Sequence, residues 1–105
     1  MALRVWLEKI FGGTSDQERR KFERRPFNGS VSVRTQSGQE YRGVGRDISD
    51  AGVGAIVSGD LTVGQIVIVR YRDGDTITHA KAVVKQQYGY RYGFEIVERL
   101  PLPAE

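Results

Sequence analysis

The chain contains no cysteine and a single histidine. Without thiols there is no disulfide and no thiol chemistry. One histidine falls short of the three or four nitrogen and sulfur ligands that zinc prefers. No apolar run approaches the ~20 residues of a membrane-spanning helix. Arg4, Glu8 and Lys9 interrupt the apolar positions at the N-terminus, so it does not read as a signal peptide, and a cytoplasmic location is expected. No base, nucleophile or metal constellation gathers around His79, which alternation places on an exposed face. Asp73 and Asp75 bracket a glycine and read as turn residues rather than as paired catalytic carboxylates. An enzyme is therefore not expected. At 105 residues the chain fits one domain, long enough to bury a core without cross-links.

What the chain has in quantity is glycine and arginine. The 13 glycines suit a succession of short strands and turns. Arginine outnumbers lysine by 12 to 4, and its planar fork grips phosphates and base edges in a way an ammonium cannot. The net charge of +3 is unevenly spread. Arg19, Arg20, Lys21, Arg24 and Arg25 face only Glu23 within seven residues, a cluster that favours a polyanionic partner.

Residues 1–11 carry a helical stripe. Leu3, Trp6, Leu7, Ile10 and Phe11 recur at the spacing of one face of an amphipathic helix, and Gly12-Gly13 ends it. A free helix this short is marginal in water, so the stripe needs a surface. The barrel described next, or a second copy of the chain in a homodimer, is the expected one. Arg4 and Lys9 alone attract anionic lipid only weakly. Residues 12–29 read as a flexible linker and arginine-rich arm with no core face, extended at Arg25 because Pro26 follows.

From residue 30 the apolar period becomes two. Val31 and Val33 alternate with polar residues, and Ser37-Gly38 turns the chain. Tyr41, Gly43 and Gly45 then oppose Arg42, Val44 and Arg46. Strands follow over 51–57, 66–71 and 76–86, separated by a loop at 61–64 and a hairpin signal at Asp73-Gly74. After Tyr88-Gly89, a last strand places Tyr90, Tyr92, Phe94 and Ile96 on one face. Six short strands joined by tight turns predict a small closed antiparallel barrel over 30–100, with a tail at 101–105.

Two short motifs carry the chemistry. Arg20 and Arg24 form RxxxR, and Asp47, Ser49 and Gly52 form DxSxxG. In this order and with these spacings the chain resembles a PilZ domain from about Glu18 to Leu100. The resemblance implies a six-stranded Greek-key-like barrel and a receptor for the second messenger cyclic di-GMP, with no other cofactor. Such barrels often end in a C-terminal helix; Pro101-Leu102-Pro103 departs from that pattern. The N-terminal helix would then cover the barrel opening in its place.

The residue types fit such a ligand. Arginine bonds phosphate bidentately and also reads guanine O6 and N7. A carboxylate, here Asp47, accepts from guanine N1–H and the N2 amino group, and Ser49 offers one more bond. Gly52 permits close backbone approach or a positive φ. Arg19, Arg25 and Arg46 are secondary candidates, and an arm with five cations suits two stacked ligands per protomer. The resemblance further implies a downstream protein partner that reads the ordered arm. The competing reading is a messenger-independent adaptor that docks through the stripe of residues 1–11. A nucleic-acid polymer is not expected, because the basic cluster is one arm rather than a lined groove.

Overall fold

The computed structural model describes residues 23–102; the stripe at 1–11, Arg19, Arg20 and the last three residues lie outside that range. Its strands are β1 (Arg25–Pro26), β2 (Ser30–Thr35), β3 (Glu40–Ser49), β4 (Gly52–Val57), β5 (Ile66–Asp73), β6 (Thr76–Tyr88) and β7 (Arg91–Arg99). All pairings are antiparallel. The order β3-β2-β5-β6-β7-β4 returns to β3 through the β3–β4 pairing, so six strands close a barrel. Across β5-β2-β3-β4, three consecutive strands are joined by hairpins and the fourth returns beside the first, which is a Greek key. No helix occurs among the described residues.

Alternation builds the core. Val31 and Val33 of β2, Val53, Ala55 and Val57 of β4, and Val67, Val69 and Tyr71 of β5 point inward. Ala80, Ala82 and Val84 of β6 and Tyr92 and Phe94 of β7 complete the lining. The alanines of β6 leave room for the two rings of β7. Tyr92 keeps its hydroxyl satisfied inside the barrel by donating to the Gly59 carbonyl (2.8 Å) and accepting from Leu61 N–H (3.1 Å). Two-residue turns at Gly74-Asp75 and Gly89-Tyr90 use glycine at φ +63° and +60°, a backbone region that costs other residues strain.

Three placements differ from the pattern reading. Tyr90 is taken up by the two-residue turn and is exposed, so the inward face of β7 starts at Tyr92. Strand pairing starts at Arg25 rather than at Ser30: Arg25 and Pro26 pair with Ile48 and Asp47, extending the β2 side of β3. Phe27, just beyond, is buried and meets Tyr71 with ring centroids 5.6 Å apart. It fills space left by Gly45, where a Cβ would collide with its ring. His79 is half-buried, and its Nδ1 donates to the Pro101 carbonyl at 2.9 Å, tying down the chain after β7.

Candidate functional site

The site depends on one irregularity in β3. Gly45 pairs with Ala55 and Asp47 with Gly54, so Arg46 is an extra residue, a β-bulge. The bulge inverts the phase of the strand. Tyr41, Gly43 and Gly45 face inward before it; Ile48 faces inward after it. Strict alternation would have sent the Asp47 carboxylate into the core and Ile48 to solvent. Asp47 and Ser49 instead take the outward phase near the end of β3, Asp47 half-buried and Ser49 buried beneath its neighbours.

Arg24 reaches them from the start of β1. Its Nε donates to Asp47 Oδ1 at 2.7 Å, and a terminal nitrogen lies 2.7 Å from the same oxygen. Its other terminal nitrogen reaches Ser49 Oγ at 3.4 Å. Ser49 Oγ also accepts from the Ala51 N–H at 3.2 Å and so braces the turn. Both strong Arg24 contacts end on Oδ1. Arg24 and the second motif are thus in direct contact.

Extended backbone sends the next residue the other way. Arg25 pairs with Asp73 at the β5–β6 hairpin through both guanidinium terminal nitrogens. That hydrogen bond, with the arginine charge, holds the Asp73 carboxyl below its usual range and raises Arg25 above its own. Asp73 thus anchors the arm in addition to ending a strand.

The Arg24–Asp47 pair separates two depressions. On one side lies a cleft of about 500 Å³. Its floor is the outward row Asp47–Gly54–Gly93–Gln86, paired residue to residue across β3, β4, β7 and β6. The two glycines leave the backbone bare. At Gly54 a Cβ would sit 2.7 Å from Asp47 Oδ1. Arg91 and the exposed Tyr88 stand at the far end. On the other side lies a depression of about 680 Å³ lined by Arg24, Arg25, Phe27, Arg46 and Asp47.

Gly52 occupies its expected place but not with a positive φ. A Cβ there would strike the Phe94 carbonyl oxygen of β7, so this glycine permits close strand approach. Gly54, Gly93, Gln86 and Tyr88 were not singled out by motif. The signal available for them was the register that brings two strand glycines opposite each other, and a lone sequence does not display it.

Comparison with known proteins bears on the fold and the family. The model of the PilZ domain family matches residues 18–105. Among solved structures, the chain is similar to the PilZ domain of CeSA from a cellulose-synthesizing bacterium. That match has a TM-score of 0.61 and 22% identity, and covers 71% of this chain and 80% of the other. No curated protein matches.

Proposed function

Since the chain belongs to the PilZ domain family, whose members are in general cyclic di-GMP receptors rather than catalysts, we propose that this protein binds cyclic di-GMP through Arg20, Arg24, Asp47, Ser49 and Gly52. The observation that carries the reading is the contact of Arg24 with both Asp47 and Ser49. Arg24 of the first motif and two residues of the second, distant in the chain, meet on one patch of the barrel.

Asp47 accepts from the guanine edge, using Oδ2 and sharing or exchanging Oδ1 with Arg24. Arg24 and Arg20 turn their forks to phosphate or to guanine O6 and N7. The bare glycine floor lets a flat base lie close to the sheet, and Tyr88 offers a stacking face at its end. Space on both sides of the ion pair, with Arg19, Arg25 and Arg46 near one of them in chain or space, supports two ligands per protomer. Binding orders the arginine arm against the barrel and presents a rebuilt surface to a partner protein.

Calorimetric titration with cyclic di-GMP, against GTP and cyclic di-AMP, tests the reading. Selective binding of one or two molecules is expected. Arg24→Ala removes a charge-assisted contact and weakens binding by roughly tenfold or more. Parent-like binding by both Arg24→Ala and Asp47→Ala overturns the assignment.

A further inference from the structure

Across the barrel from the glycine-floored cleft lies a second concentration of charge. The outward row Arg42–Ser32–Arg70–His79 crosses β3, β2, β5 and β6. Arg72 follows two residues along β5, and the neighbouring row adds Arg34 and Lys81. The four arginines are exposed. Two carboxylates border these rows: Glu40 beside Arg34, which accepts from the Ser32 hydroxyl at 3.0 Å, and Glu98 opposite Lys81; none stands in the row of Arg42 and Arg70. Among the described residues none of the five cations forms an ion pair.

Folding does not account for this face. Like charges on adjacent strands cost stability, and sheets ordinarily interleave opposite signs. The arginines also surround a real depression. Arg42, Arg70, Arg72, Ser30, Ser32 and Ile77 line about 270 Å³, so three guanidinium groups and two hydroxyls border one depression. That combination suits a phosphate, which takes paired N–H donors from arginine.

We propose that this face docks on the anionic phospholipid surface of a membrane, with headgroup phosphates seated among Arg42, Arg70 and Arg72. A nucleic acid is the poorer fit, because the exposed aromatics Tyr88 and Tyr90 lie at the β6–β7 turn and none stands among these arginines to stack a base. A tightly fitting acidic protein is also the poorer fit, because such an interface needs an apolar centre and the centre here is charged. A lipid surface needs only charge and proximity. The chain's own sequence supplies the complement: the stripe Leu3, Trp6, Leu7, Ile10 and Phe11 has apolar residues to insert but too few cations of its own. One weak apolar anchor with one basic patch is the pairing that gives lasting surface attachment. The inference is independent of cyclic di-GMP binding, since the two faces meet only at β3 and β6 and have no lining residue in common.

The test is co-sedimentation of the full chain with phosphatidylcholine vesicles, with and without about a third phosphatidylglycerol. Binding is expected only with the anionic lipid, and it should fall as salt shortens the Debye length. The triple variant R42Q/R70Q/R72Q, outward-facing and so compatible with folding, should lose roughly ten- to a hundredfold in partitioning. Its cyclic di-GMP affinity should stay at the parent value. A variant lacking residues 1–11 should bind more weakly but keep its dependence on anionic lipid. Equal binding to neutral vesicles, parent-like binding by the triple variant, or tighter binding to single-stranded oligonucleotide at equal phosphate overturns the proposal.

Discussion

Arg24 and Arg25 are adjacent, yet they serve different places because the chain between them is extended. Arg24 meets Asp47 where both are partly exposed, at 43% and 29%. A pair so placed contributes no more than about 1 kcal/mol to folding. Loss of ligand binding in Arg24→Ala will therefore report on the site and not on unfolding. The Arg25–Asp73 pair has a pH dependence of definite sign. Its hydrogen bond lowers the folded pKa of Asp73, so its stabilisation is complete above the ordinary carboxyl pKa and disappears as pH falls through the lower folded value. Urea midpoints of the parent and Asp73→Asn should differ at neutral pH and converge in acid, below the ordinary carboxyl range. Convergence at alkaline pH instead would show that the pair is not the cause. Burial pushes the Tyr71 hydroxyl up, so its contribution is intact below its ordinary pKa and is lost only as pH rises beyond it.

At the scale of elements, two glycines in β4 separate folding from recognition. A methyl at Gly52 meets the backbone carbonyl of Phe94, which cannot move without parting β4 from β7. Gly52→Ala should therefore lower the melting temperature as well as ligand affinity. A methyl at Gly54 meets the end of the Asp47 side chain, which can rotate away. Gly54→Ala should melt near the parent temperature yet bind cyclic di-GMP more weakly, because the carboxylate is turned off its row. Equal effects of the two substitutions on stability would contradict the packing described. Phe27 gives the arm its attachment. Phe27→Ala empties space over Gly45 and beside Tyr71 and should cost roughly 3 kcal/mol in denaturant unfolding. It should also weaken ligand binding, since Arg24 is held by the segment that Phe27 anchors. The bulge at Arg46 belongs to this scale too. It turns a strand with an inward aspartate into one with an outward aspartate, using one extra residue.

The described residues close a barrel, with the proposed messenger face centred on β4 and β7 and the basic face centred on β2 and β5. Closure leaves no free sheet edge except at the short β1, so binding on either face adds to the stability of a single cooperative unit. Cyclic di-GMP at a hundredfold excess over Kd should raise Tm by roughly 10 °C or more in a domain of this size. Arg24→Ala should abolish most of that rise at the same ligand concentration. A ligand-induced rise retained in full by the variant would mean that binding occurs elsewhere.

Most strands were legible because one face of each packs on the core while the other meets water. Val31 and Val33, Val67 through Tyr71, and Ala80 through Val84 announce that alternation in the chain itself. The two motifs were legible through their order and spacing taken together, which carry the family resemblance; either alone reads as an arginine-rich stretch or a serine-braced turn. At Gly89-Tyr90 the turn signal was visible, but alternation alone did not say that Tyr90 belongs to the turn. The burial of Phe27 and the role of Asp73 were not legible, since each depends on a contact between residues far apart in sequence. The glycine floor and the basic face were hidden for the same reason. Local pattern states which side of a strand is apolar; only strand register, a property of pairing across the barrel, states which outward residues become neighbours.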